Sequence, residues 1–299
     1  MKEITLLSGK GGTGKTSIAA AFATLTDKPI VCDNDVDAAN LHLLLKPEII
    51  ESNLFAGGEK AIVDAEKCTG CGLCINSCRF GAIKWSETGI PLINLLDCEG
   101  CRLCMNICPD GAIKMTKLFN NRWYISNTRV GTMVHTEMAA GEENSGRLVT
   151  QLRNTAKKLA LQMNSPFIIS DGPPGIGCPV IASLTGTDAV ILVIEPTVSG
   201  IHDAIRLFEL ALTFHLPVYV IINKEDINKK LASEAKSYFK EKSITICGSI
   251  PFDKNIIKAM TAGLSIIEYA PLSKTSIKIK KAWELIVEHI EKKQFKLLM

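Results

Sequence analysis

No apolar stretch in this chain reaches the roughly 20 residues that a helix needs to cross a bilayer. The N-terminal residues enter a strand pattern, Ile4 to Ser8, where a secretory leader would show its charged and apolar regions. Net charge is also nearly absent. The 34 Lys and Arg set against 31 Asp and Glu leave +3 over 299 residues, which offers no broad basic footprint for nucleic acid. With 46% apolar and 22% charged residues the composition is not that of a disordered chain, and the length suffices for one large domain plus a small inserted one. These absences lead us to expect a cytoplasmic protein with no nucleic acid partner and no membrane contact. A reducing compartment also suits its thiols. Three of the 11 cysteines, Cys32, Cys178 and Cys247, stand apart and do not point to structural disulfides.

The other eight form two identical blocks, Cys68, Cys71, Cys74, Cys78 and Cys98, Cys101, Cys104, Cys108, each spaced Cys-x-x-Cys-x-x-Cys-x-x-x-Cys. Soft thiolates at this spacing wrap one face of a [4Fe-4S] cubane and leave the fourth cysteine for a neighbouring cubane. The expected sets are therefore Cys68, Cys71, Cys74 and Cys108 for one cluster, and Cys78, Cys98, Cys101 and Cys104 for the other. A zinc site or a disulfide framework is the alternative, but paired zinc ribbons lack this tight run and disulfides need an oxidising compartment. Each block is followed by an apolar repeat, Phe80-Gly81-Ala82-Ile83-Lys84 and Asp110-Gly111-Ala112-Ile113-Lys114, so the segment is internally duplicated. From Glu59 to Lys117 it resembles the bacterial-type two-cluster ferredoxins. Arg79 departs from that pattern, because the second block has Pro109 there.

The run Ile4 to Ser8 leads into Gly9-Lys10-Gly11-Gly12-Thr13-Gly14-Lys15-Thr16-Ser17 and then a helical pattern through Ala23. Strand, glycine loop and helix make a phosphate cradle, in which backbone N–H groups and the helix N-terminus face the phosphate oxygens. In such a cradle Lys15 reaches the β- and γ-phosphates and Thr16 holds Mg²⁺. The second lysine, Lys10, makes the loop similar to the deviant P-loop of the MinD/Mrp/nitrogenase-iron-protein group of ATPases. The resemblance implies a face-to-face dimer, of two copies or with a close paralogue, in which Lys10 crosses to the partner's nucleotide.

The same resemblance extends downstream. Pro29 to Asp33 reads as a strand ending in Asp33-Asn34-Asp35-Val36-Asp37, similar to the group's switch I, which implies that Asp35 orients the attacking water while Asp33 and Asp37 support the magnesium shell. Phe167 to Ser170 is an apolar strand ending at Asp171, the Walker B pattern, in which the acid reaches Mg²⁺ through water. Gly172 to Pro179 resembles switch II, with the Gly175 N–H placed to sense the γ-phosphate. Asn223, after the strand Val218 to Ile222, resembles the adenine-reading position, and Pro251 and Asp253 lie in the matching base-side loop. Cys178, seven residues after Asp171, matches the cysteine that binds the shared cluster of the nitrogenase iron protein. The place of a second such ligand falls at Asn144, which leaves Cys178 as an interface thiol. The lysine-rich stretch Lys274 to Met299, with Trp283, Ile286, Val287 and Ile290 at helical spacing, reads as a helix docked on its own domain.

The expected fold is α/β: a doubly wound, mostly parallel sheet of the deviant P-loop type over residues 1–58 and 119–299, with a small α+β ferredoxin-like domain inserted at 59–118. The expected cofactors are ATP, Mg²⁺ and two [4Fe-4S] clusters. The leading functional expectation is an ATPase whose dimer switch is coupled to electron transfer, with a redox or cluster-accepting protein as partner. The alternatives are an Mrp-like cluster scaffold, an amide-forming enzyme of the cobyrinic acid diamide synthase type, and a MinD-like spatial regulator. The first lacks its usual cysteine pair, the second has no residues left for an ammonia-supplying domain, and the third does not explain two clusters.

Overall fold

Ile4, Leu6, Leu7, Ile191, Leu192, Val220 and Ile221 are all 0% exposed, so neighbouring residues on opposite faces of a strand are buried alike. That pattern belongs to a parallel sheet covered by helices on both sides. The computed structural model describes residues 1–117, 119, 121–137 and 145–297. In chain order the elements begin β1 (Lys2–Ser8), α1 (Lys15–Leu25), β2 (Ile30–Asp33), α2 (Leu41–Leu45) and β3 (Glu48–Phe55). They continue β4 (Glu59–Val63), α3 (Leu73–Ser77), β5 (Ile83–Trp85), β6 (Pro91–Ile93), α4 (Leu103–Ile107) and β7 (Ile113–Lys117). Then follow β8 (Asn121–Asn127), β9 (Thr132–Glu137), α5 (Ser145–Gln162), β10 (Phe167–Pro174), α6 (Cys178–Leu184), β11 (Ala189–Ile194) and α7 (Val198–Thr213). The last are β12 (Val218–Asn223), α8 (Lys229–Glu241), β13 (Thr245–Ile250), α9 (Lys254–Ala262), α10 (Ile266–Tyr269) and α11 (Lys274–Leu297).

The chain forms two compact units. The larger is drawn from Met1–Asn53, Trp123–Glu137 and the chain from Ser145 onward, and the smaller from Leu54–Arg122. The large sheet has nine strands in the order β13-β12-β11-β1-β10-β2-β9-β8-β3. β1 pairs in parallel with both β10 and β11, so the chain winds outward in both directions from the strand that carries the glycine loop. Ligands bind where such a winding reverses. One face is covered by α1 and α11, where Phe22 and Trp283 stack with ring centroids 4.8 Å apart. α11 lays Ile279, Ala282, Trp283, Ile286 and Ile290 into this core, and Val287 packs at its margin. The stripe foreseen from its spacing is thus docked on the chain's own sheet. The other face buries Val180, Leu207, Phe208 and Phe239 from α6, α7 and α8.

In the smaller unit β4 pairs antiparallel with β7, and β5 with β6. The duplication read from the sequence recurs in the backbone. Gly70, Gly72 and Gly81 have φ of 70°, 75° and 64°, and their counterparts Gly100, Arg102 and Gly111 have 60°, 64° and 58°. Only glycine adopts this left-handed region freely, so an arginine there costs on the order of 1 kcal/mol. The two halves also interlock. Asp64 N donates to Ala112 O at 2.7 Å and Asn94 N donates to Ala82 O at 2.8 Å, so the approach to each block is tied to the exit from the other.

Candidate functional site

Ser8 ends β1 at the middle of the sheet, and the loop that follows turns at Gly12 and Gly14, whose φ values of 78° and 90° need glycine. A Cβ on Gly14 would lie 2.3 Å from the Asn223 side-chain nitrogen, and that nitrogen donates to Thr13 O at 2.7 Å. The Gly14→Ala variant is therefore expected to break this tie and lose at least about tenfold in nucleotide affinity, checked by equilibrium titration against a thermal melt that reports folding.

The loop opens onto a cleft of about 560 Å³, a volume in the range of small-molecule sites. Gly11, Gly12, Thr13, Gly14, Lys15, Thr16 and Ser17 line it together with Asp35, Asn223, Pro251 and Asp253. Gly9, Lys10, Asp33, Asp171 and Gly175 are not part of that lining. Gly9 is packed so closely on α7 that a Cβ would lie 2.5 Å from the Asp203 backbone. Gly175 donates its N–H to Ser8 O at 2.9 Å, which fixes the Pro-Pro-Gly turn against the end of β1. Lys10 Nζ donates to Thr197 Oγ1 at 2.9 Å and lies 3.8 Å from Glu195 on the same chain.

Lys15 and three carboxylates form a buried charge cluster beside the loop, and Lys224 in the cleft lining donates to Gly12 O at 2.8 Å. Lys15 Nζ lies 2.8 Å from Asp171 and 3.4 Å from Asp35, and the lysine is 5% exposed. Burial pulls its pKa down, but the carboxylates of Asp171 and Asp35 overcome this and hold it above the ordinary lysine value. Burial pushes the Asp33 carboxyl well above the usual range, and Asp171 adds to the effect against the pull of Lys15. Burial likewise raises Asp35, against Lys15. Asp33, which the sequence places in support of the magnesium shell, also accepts backbone N–H groups of Asp35 and Leu41, one on each oxygen and each at 3.2 Å. These two contacts hold the loop between β2 and α2 in shape.

Three buried polar atoms here have no hydrogen-bond partner among the described residues: Thr13 Oγ1, Asp171 Oδ2 and Asn223 Oδ1. Because the Asn223 amide nitrogen donates to Thr13, its free oxygen is an acceptor suited to an exocyclic amino group. Sequence reasoning did not find the apolar side of the cleft, formed by Leu43 on α2, by Phe252, and by Ile256, Ile257 and Met260 on α9. The spacing of Ile256, Ile257 and Met260 after Asp253, a helix cap, was the available signal.

The smaller unit holds two further cavities. One, of about 210 Å³, is lined by Cys78, Cys98, Cys101 and Cys104 with Phe80, Ile83, Ile93 and Met115. The other is lined by Cys68, Cys71, Cys74 and Cys108 with Val63, Pro91 and Ile113. All eight thiols are free. Among the described residues no three His, Cys, Asp or Glu side chains converge where a single metal ion would sit. Of the remaining thiols, Cys178 is exposed at the start of α6, and Asn144 lies outside the described residues. Burial pushes Cys247 up to about 12, so it stays a thiol.

Residues 4–266 match the family described as the CobQ/CobB/MinD/ParA nucleotide binding domain. An uncharacterised protein of Methanocaldococcus jannaschii is 34% identical over 293 residues, covering 96% of this chain and 97% of the relative. An uncharacterised ATP-binding protein of the same organism is 25% identical over 287 residues, covering 92% of this chain and 85% of the relative. Among solved structures, the septum site-determining protein MinD of Pyrococcus horikoshii, complexed with Mg-ADP, aligns with a TM-score of 0.57 at 17% identity over 95% of each chain, a likeness of fold. No helix among the described residues is long and apolar enough to cross a membrane. Since the matched span takes in the sheet, the glycine loop and the cleft they enclose, the chain belongs to the CobQ/CobB/MinD/ParA family of P-loop ATPases.

Proposed function

We propose that this ATPase carries two [4Fe-4S] clusters and couples ATP hydrolysis, within a dimer, to electron transfer through them. The observation that carries the reading is the sorting of eight free thiols into two cavities of four, in the crossed pattern that the duplicated spacing calls for. The donor set fits, because soft thiolates in apolar surroundings suit iron-sulfur clusters. Bound clusters would supply one-electron redox chemistry. The chain's part is to hold them by these thiols, and Phe80, Ile83, Ile93 and Met115 keep water from the larger cavity.

At the cleft, Lys15, Lys10 and the loop amides neutralise charge on the transferring phosphoryl group. Thr16 and the unpartnered Asp171 Oδ2 are the groups that would hold Mg²⁺ or its water shell, and the ion would offset phosphate charge there. Asn223 Oδ1 accepts from the adenine amino group. Within a dimer Lys10 must leave Thr197 and Glu195 to reach the partner's nucleotide. The loop bearing Asp35 continues in the chain through α2 and β3 into the cysteine segment, a short covalent path for movement of that loop.

The Asp35→Asn variant separates binding from chemistry. It is expected to keep ATP affinity within about threefold while hydrolysis falls at least about 100-fold. Because burial raises the Asp35 pKa in the folded protein, its contribution to stability is present below the unfolded value of 3.8 and is lost as pH rises through the folded pKa. The nucleotide-free variant is therefore expected to be more stable than the parent at neutral pH, and the difference should shrink on acidification in denaturant melts.

The reading as a whole is tested by anaerobic purification with an iron, sulfide and zinc count, and by reductive titration without nucleotide, with ADP and with ATP. About eight irons per chain and a reduction potential that moves with ATP are expected. Zinc in place of iron, or clusters indifferent to nucleotide, would overturn it. Loss of iron to an apo-acceptor during turnover would instead favour the cluster-carrier alternative.

A further inference from the structure

The two cysteine blocks are near copies, so each is a control for the other, and they differ in charge at matching positions. Arg102 stands where the first block has Gly72, and Arg79 stands where the second has Pro109. Both arginines line the cavity of Cys78, Cys98, Cys101 and Cys104. Arg79 lies over the Phe80 ring at 4.8 Å, and Arg102, held in a left-handed conformation at φ 64°, pairs with Glu59. Lys60 Nζ adds a third cation by donating to Cys98 O at 2.5 Å. The opposing charge in that lining is Glu99. Around Cys68, Cys71, Cys74 and Cys108 the charged lining residue is Asp110, which accepts from Thr69 Oγ1 at 2.7 Å.

We propose that Arg79 and Arg102 make the Cys78, Cys98, Cys101 and Cys104 site the first to be reduced, so that electrons entering the chain settle there. The proposal rests on the reading of both cavities as cubane sites. Reduction adds one negative charge, which nearby guanidinium groups stabilise and a nearby carboxylate opposes. The reductant is a one-electron carrier of low potential, iron-sulfur or flavin in chemical class. It loses one electron and the Arg79 and Arg102 site gains it, with no bond made or broken. A second electron then enters the Asp110 site. The two arginines sit where nothing in the ligation requires them, and Arg102 occupies backbone that glycine would fill without strain.

The test is an anaerobic dithionite titration of the full chain with redox mediators, read by electron paramagnetic resonance with spin counting. Two resolved steps are expected in the parent protein. In the Arg79→Gln/Arg102→Gln variant the first step should lose about tenfold in its equilibrium preference for the electron, while Arg79→Lys/Arg102→Lys retains it. The Asp110→Asn variant should move the second step toward the first. Salt near 1 M should narrow the separation in the parent, because Arg102 is 56% exposed at its side chain and open to screening. The proposal fails if both sites fill together in the parent. It also fails if the glutamine pair leaves the first step in place, or moves the second, with about eight irons still bound. A chain without iron would sink the cubane reading itself, and the order of reduction with it.

Discussion

The Lys15→Ala variant loses nucleotide binding, by at least about 1000-fold in equilibrium titration with Mg-ATP. In the nucleotide-free chain the lysine neutralises Asp171 and Asp35 at 2.8 and 3.4 Å from a site where it is 5% exposed. Without it a triphosphate entering the glycine loop meets Asp33, Asp35 and Asp171 with no opposing charge beneath them. At an effective dielectric constant near 20, one unit charge at about 4 Å contributes about 4 kcal/mol, and that corresponds to about three orders of magnitude in affinity. Removing the lysine also leaves buried carboxylates facing one another, so part of the loss could be a loss of fold. Mild acidification distinguishes the two, because protonation of Asp33 and Asp35, already favoured by burial, relieves the repulsion. A folded variant at pH 5.5 to 6, about two units above the ordinary carboxylate value, that still fails to bind locates the defect in phosphate recognition. A variant binding within about tenfold of the parent would remove Lys15 from the role given to it.

How much of this was legible in the sequence differs between elements, for physical reasons. The glycine loop was legible because its geometry is local: Gly12 and Gly14 need left-handed backbone, and the strand before and helix after are set by a few apolar residues. The nine-strand order was not, since pairing of β1 with both β10 and β11 depends on residues more than a hundred positions apart. Asp33 shows the limit more sharply. An acid at the end of a buried strand does not reveal in sequence that it also ties its own loop, as Asp33 does by accepting the backbone N–H groups of Asp35 and Leu41. The apolar wall of the cleft escaped notice for a similar reason. Leu43 and Met260 are ordinary helix residues until folding brings α2 and α9 to one cavity. Arg79, by contrast, was visible as a break in a repeat, but the cavity it lines became evident only in three dimensions.

The crossing of the cysteine blocks is open to a direct test, and the effect expected is the loss of half the iron. A Cys108→Ala chain should retain about four of its eight irons, since one cubane loses a corner and the other keeps all of its thiolates. That count alone does not reveal which cubane is lost, because a block keeping its own four cysteines would give the same number. Paired variants separate the cases. If Cys108 completes the set of Cys68, Cys71 and Cys74, then Cys71→Ala/Cys108→Ala damages one site and about four irons remain, while Cys101→Ala/Cys108→Ala damages both and almost none remain. Blocks that do not cross would give the reverse result with the same number of cysteines removed, so a general effect on folding cannot imitate it. The interlocked backbone argues for the crossed outcome. Asp64, which leads into the first block, donates its N–H to Ala112, and Asn94, which leads into the second, donates to Ala82. Each of these ties draws the fourth cysteine of one block toward the first three of the other.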